Sequence, residues 1–174
     1  MEEILLYAAM TFLISVVIWF EQRIDYKCHK KIGDIGEDIV TKKLIQLSQD
    51  YLVEHDVHIA NNQIDHLVIN HKLKICFVIE TKLWGGIISG SHNDSYWQQE
   101  KDGYIKYLPN PIAQNELHCR KVRKRYSDYH VYSIIVFINN ANVPHHRCIS
   151  NENELVNHIY KISNKSQIRT NNPD

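Results

Sequence analysis

The sequence lacks a charge excess of either sign: 20 Lys and Arg balance 20 Asp and Glu. Global charge therefore gives no support for a nucleic-acid partner, and any such argument has to be local. Cysteine is sparse. Cys28, Cys76, Cys119 and Cys148 lie far apart and form no CxxC or Cys/His cluster. That spacing argues against a zinc site and against a disulfide framework, and it fits reduced thiols in the cytosol. Histidine is plentiful, with 11 residues, but they are scattered and no HExxH pattern is present. Internal repeats and a second domain are absent.

An apolar run comes first. Ile4 to Phe20 reads ILLYAAMTFLISVVIWF and carries no charge. Its length is at the short end of what spans a bilayer. Thr11 and Ser15 can bond back to helix carbonyls, and Trp19 and Phe20 stand where interfacial aromatics would. A secretory signal would need a positive start and a small-residue cleavage site; this chain begins Met1-Glu2-Glu3 and leaves the run through Trp-Phe-Glu-Gln-Arg. An uncleaved anchor over residues 1–22 is expected, a buried core helix being the other reading. Arg23, Lys27, Lys30 and Lys31 follow the run and no cation precedes it. The positive-inside rule then predicts a single-pass protein of the cell membrane, its lipid contact through residues 4–20 and its C-terminal domain in the cytoplasm. Residues 23–32 form a basic juxtamembrane linker. Residues 33–162 are enough for one domain with a real core, and the polar stretch 163–174 is expected to be disordered.

The centre of that domain is Gln63 to Lys82, reading QIDHLVINHKLKICFVIETK. Two β-forming runs flank a short polar link, the pattern of a hairpin. A turn near Lys72 and Leu73 sets Asp65 opposite Glu80, and the two-residue side-chain period puts Lys82 on the face of Glu80. Leu67, Ile69, Cys76 and Val78 share that face as core. Two carboxylates and an ammonium at one end suit a hard cation such as Mg²⁺; a surface salt bridge is the plainer reading.

Ahead of the hairpin, Asp34 and Glu37 have capping-box spacing for a helix whose apolar face is Ile35, Ile39, Val40, Leu44 and Leu47. Glu37 is either part of that cap or a third carboxylate aimed at the hairpin. Tyr51–Ile59 is a strand. After the hairpin, Ile87-Ile88 is a short strand, and Asp102-Gly103 joins two more. Asn110-Pro111 opens a helix as cap and first residue, with Gln114 in its first turn and a basic end at Arg120, Lys121, Arg123 and Lys124. That end is either a solvated terminus complementing the helix dipole or a phosphate-contacting patch. Val131–Ile138 and His145–Ile149 are strands, and a last helix runs to about Ile162. The order predicts an α/β domain with a mixed sheet between helices.

The blocks Gly33-x-x-Gly36-Glu37, Gln63-Ile64-Asp65-His66, Glu80-x-Lys82, Trp97 and Asn110-Pro111-x-x-Gln114-Asn115 resemble the NERD (nuclease-related) domain from about Ile32 to Tyr126. That family is similar to the PD-(D/E)xK nucleases. The resemblance implies a central mixed sheet flanked by helices (restriction-endonuclease-like) and phosphodiester hydrolysis, in DNA, dependent on Mg²⁺ or Mn²⁺. It implies Asp65 and Glu80 as metal ligands, Lys82 as the residue that orients or activates water, Glu37 as a supporting carboxylate and Gln114 as an accessory site residue. Leu83 departs from the short polar residue that many relatives carry after the lysine. The alternative is a catalytically inactive, membrane-tethered module that binds nucleic acid or protein on the same fold.

Overall fold

In the computed structural model the chain divides into two units, Met1–Ile35 and Gly36–Asp174. Residues 2–138, 141–143, 145 and 147–171 are described, with 2–6, 8–9, 25–30 and 169–171 described as backbone only.

One helix, α1 (Glu2–Leu44), supplies the first unit and begins the second. In the first unit its apolar side chains are exposed, Phe12 at 71% and Trp19 at 52%. Ser15 Oγ donates to the Phe12 carbonyl at 2.7 Å, the back-bonding expected of it. Arg23 lies over the Trp19 ring, 4.8 Å from its centre. Among the described residues no helix is long and apolar enough to cross a membrane. The span expected at residues 4–20 therefore has no support from the described residues; several of its first side chains, residues 4–6 and 8–9, lie outside them. The helix also passes through Asp34 without a break, which corrects the expected start there. Glu37 consequently sits within a helix and not at a cap.

The second unit is built on a five-stranded sheet. Its strands are β1 (Leu52–Ile59), β2 (Asn62–Asn70), β3 (Ile75–Lys82), β7 (His130–Phe137) and β8 (Cys148–Ile149), in that spatial order. β1, β2 and β3 are antiparallel neighbours, whereas β7 pairs parallel with β3 and β8 parallel with β7. The sheet is therefore mixed, as expected. Helix α2 (Pro111–Arg125) covers one face, where Cys119 and Val122 meet Leu67, Ile69, Cys76 and Val78. The last turns of α1 and helix α3 (Leu155–Asn171) cover the other, where Val40, Leu44, Leu155 and Ile159 meet Val68, Phe77 and Ile79. The alternation of side chains along β2 and β3 feeds both cores from the same two strands.

A second sheet, β4 (Ile87–Ser89), β5 (Tyr96–Lys101) and β6 (Tyr104–Pro109), hangs between the end of β3 and the start of α2. Lys101 pairs with Tyr104 across Asp102-Gly103, both at positive φ (53° and 78°), the conformation a two-residue hairpin turn needs. Trp97 is buried against Ile88, Ile112, Ile135 and Phe137, and its indole donates to the Ser91 carbonyl at 2.9 Å. The indole lies directly on Gly90, so a Cβ there would collide with the ring.

Two further expectations are corrected. The tail from residue 163 is helical to Asn171. Its polar residues are adequate helix formers, and Ser163 and Ser166 bond to Ile159 and Tyr132. The last strand is only Cys148–Ile149; Pro144 and His146 lie outside the described residues. Asn139 and Asn140 also lie outside them.

Candidate active site

The register of the central hairpin is the one its turn dictates. His66 pairs with Ile79, Leu67 with Val78, and so on to Asn70 with Ile75. The next position outward brings Asp65 to Glu80, and Asp65 Oδ2 accepts from the Thr81 backbone N–H at 2.7 Å. Lys82 returns to the same face two residues on. Its Nζ donates to Glu80 Oε1 at 2.6 Å and to Gln114 Oε1 at 3.1 Å. The Trp84 ring centre is 5.7 Å from that ammonium.

Helix α2 arrives at the site because Asn110 fixes its start. The Asn110 side chain accepts from the Ile112 and Ala113 N–H groups and donates to the carbonyls of Ser91, His92 and Asp94. Pro111, at the first helical position, needs no partner for an N–H. Asn115 is fully buried and donates to Val78 O, Ser133 Oγ and Ile134 O, joining α2 to β3 and β7. Gln114 next to it is thereby aimed at Lys82.

One helical turn beyond Gln114 stands His118, buried, with Nδ1 3.4 Å from Glu80 Oε2. The sequence patterns gave this histidine no role. Its spacing of four residues from Gln114 was the signal, because such pairs share a helix face. Glu80 is thus held between a strand lysine and a helix histidine while only 2% exposed. Its Oε2 is buried and makes no hydrogen bond of good geometry.

The two carboxylates are charged unequally. Burial and the facing Glu80, with Glu37 adding to them, push the Asp65 carboxyl up to about 7, against the Thr81 bond and Lys82, which lower it. Burial would raise Glu80 as well, but His118 and Lys82 outweigh it and hold Glu80 below the usual carboxylate range. Glu80 therefore carries the negative charge and Asp65 keeps its proton toward neutrality.

Among the described residues no group of three or more His, Cys, Asp and Glu side chains is gathered as a metal cluster. The Asp65–Glu80 pair nevertheless fits a hard divalent cation: two carboxylates face each other, one buried oxygen lacks a hydrogen bond, and a third carboxylate, Glu37, adds to the negative field at Asp65. Leu83, the departure from the family pattern, packs into the core beside Gly36. The basic end of α2 is not part of this cluster. Arg120, Arg123 and Lys124 are exposed and Lys121 half-buried, and Arg123 is about 14 Å along the helix from Gln114.

Fold and site together define a mixed α/β protein, its sheet flanked by helices, with a carboxylate–lysine cluster at the open end of the central hairpin. The chain belongs to the nuclease-related domain family, whose model matches residues 32–138, more than half its length. It is also similar to an uncharacterized protein of Bacillus anthracis, with 32% identity over 116 residues, covering 63% of this chain and 54% of that protein. The chain spans about half the length of that relative. No solved structure matches it.

Proposed function

We propose that this nuclease-related chain hydrolyses phosphodiester bonds in DNA with Mg²⁺ or Mn²⁺ as cofactor. The observation that carries the reading is the convergence of Asp65 and Glu80, from adjacent strands, with Lys82 Nζ at 2.6 Å from Glu80. Asp65 and Glu80 would hold the cation, which supplies Lewis-acid polarisation of the phosphoryl group and of the attacking water. The protein's own part is preorganisation. Lys82 presents a fixed positive charge at the rim of the pair, where it can meet the charge that develops on phosphate. Gln114, which accepts from that ammonium at 3.1 Å, and the Trp84 ring hold it beside Glu80. His118 positions Glu80 from the other side, and Glu37 reinforces the negative field that attracts the cation.

The test is plasmid and single-stranded DNA incubated with the full chain and Mg²⁺ or Mn²⁺, beside Asp65→Ala and Lys82→Ala. Metal-dependent cleavage is expected in the wild type, falling by at least about a hundredfold in each variant. DNA bound but uncut by the wild type would favour the inactive binding module on the same fold.

We also propose that the apolar stretch at residues 4–20 holds the chain at the cell membrane, with the remainder in the cytoplasm. The exposed Phe12, Leu13, Ile14 and Trp19 support this, as does the run Arg23, Lys27, Lys30 and Lys31 beyond them.

A further inference from the structure

A cavity of about 340 Å³ opens beside β7. It arises because β8 pairs only with Ile135 and Val136, so the first half of β7 has β3 as its one strand partner among the described residues. Tyr132 and Ser133 of β7, Glu116 and Arg123 of α2, His158 of α3 and Arg147 ahead of β8 line it. Arg123 follows Gln114 by about two and a half turns, so it leaves α2 on the side away from the carboxylate site. The cavity is therefore separate from that site.

Its charges are arranged for an anion. Arg147 Nη1 donates to Glu116 Oε1 at 2.5 Å. That pair neutralises the only carboxylate in the lining and fixes the plane of the guanidinium. The other side-chain N–H donors of Arg147 are uncommitted among the described residues. Arg123 makes a single long bond, 3.5 Å to the Val131 carbonyl, and the exposed Arg120 and Lys124 flank it on the helix. Guanidinium forks match the oxygen spacing of phosphate, and hydrogen bonds between charged partners are the strong ones. The volume is in the range of small-ligand sites, about 300–1,000 Å³.

We propose that this cavity binds a phosphate group through Arg123 and Arg147. The inference goes beyond the nuclease reading and does not depend on it. Free phosphate, a mononucleotide and the backbone of a nucleic-acid strand all carry the chemistry, and the test separates them. The full chain is titrated calorimetrically, without metal, with inorganic phosphate, with AMP and with a single-stranded oligonucleotide lacking terminal phosphates. Arg123→Gln is expected to weaken binding about tenfold or more. The double variant Arg147→Gln/Glu116→Gln, which removes both partners of the ion pair together, should do the same. Lys106→Ala, which removes an exposed cation of β6 outside both sites, should leave it unchanged. AMP binding above inorganic phosphate marks a nucleotide site; binding of the oligonucleotide alone marks a backbone contact. Absence of binding by all three probes at millimolar concentration would overturn the proposal, as would binding lost in Lys106→Ala and kept in Arg123→Gln. Cleavage assays on Arg123→Gln report on the nuclease reading separately.

Discussion

At the scale of single residues, the informative pair is Asp65 and Glu80. They face each other from neighbouring strands, yet Lys82 and His118 both serve Glu80. Asp65 is left with one backbone bond and two carboxylate neighbours. Its titration has a consequence for stability whose sign follows from linkage. The folded state holds the Asp65 proton up to about pH 7, whereas the unfolded chain releases it near the ordinary aspartate value of 3.8. Between those values the native state binds more protons, so stability falls as pH rises across that window and then levels off. Glu80 acts the other way, in a lower window: its depressed value contributes stability above the unfolded carboxylate range, lost as pH falls through the folded value. Buried His66, held down to about 4, acts in the opposite direction over much of this window, so the Asp65 contribution is read as a difference: Asp65→Asn is expected to gain melting temperature relative to the metal-free wild type as pH rises from about 4 to 7. Mg²⁺ should restore the wild type at pH 8 and leave Asp65→Asn unmoved, because only the charged pair binds it. Parallel pH profiles for the two proteins would refute this assignment.

At the scale of elements, the family motif in α2 is a fastening. Asn110 caps the helix and ties it to the loop below the small sheet; Asn115 bolts it to β3 and β7; Gln114 between them reaches the site. Losing the Asn110 side chain removes the cap and leaves carbonyls of Ser91, His92 and Asp94 without their donor. Asn110→Ala is predicted to cost about 1–3 kcal/mol in chemical denaturation and to weaken metal binding as well, since the helix that carries His118 loses its anchor. Asn110→Asp keeps the cap acceptor but sets a carboxylate oxygen against the three carbonyls, so it should not restore wild-type stability. A stability change under about 0.5 kcal/mol for Asn110→Ala, the size of an ordinary surface substitution, would show that the fastening lies elsewhere. Much of this was legible locally. Asn-Pro at a helix start and Asp-Gly in a hairpin act through their own backbone conformations, so their neighbours in space did not have to be known. The start expected at Asp34 failed for the converse reason. Capping-box spacing is a weak preference, and a continuous apolar helix ahead of it overrides the signal.

At the scale of the whole molecule, the N-terminal stretch and the sheet-based unit pose separate questions. The exposed aromatic and aliphatic side chains between Tyr7 and Ile24 have to be covered by something apolar, and a bilayer is the proposed partner. After lysis the full chain should sediment with membranes and resist carbonate extraction, and a chain lacking residues 1–31 should be released. Recovery of the intact full chain in the soluble fraction would remove the membrane proposal and leave the nuclease reading untouched.

By itself the sequence determined the mixed α/β class, the hairpin register and the meeting of Asp65, Glu80 and Lys82. Each of these follows from a short-range rule: a two-residue strand period, a tight turn, a β-forming run. Tertiary structure alone decided how α2 stands over those carboxylates. It turned His118 toward Glu80, left the Asp65 proton in place toward neutrality, and separated the two arginines of the β7 cavity from the carboxylate site. Those outcomes depend on burial and on the angle at which α2 crosses the sheet, and both come from contacts between residues far apart in the chain.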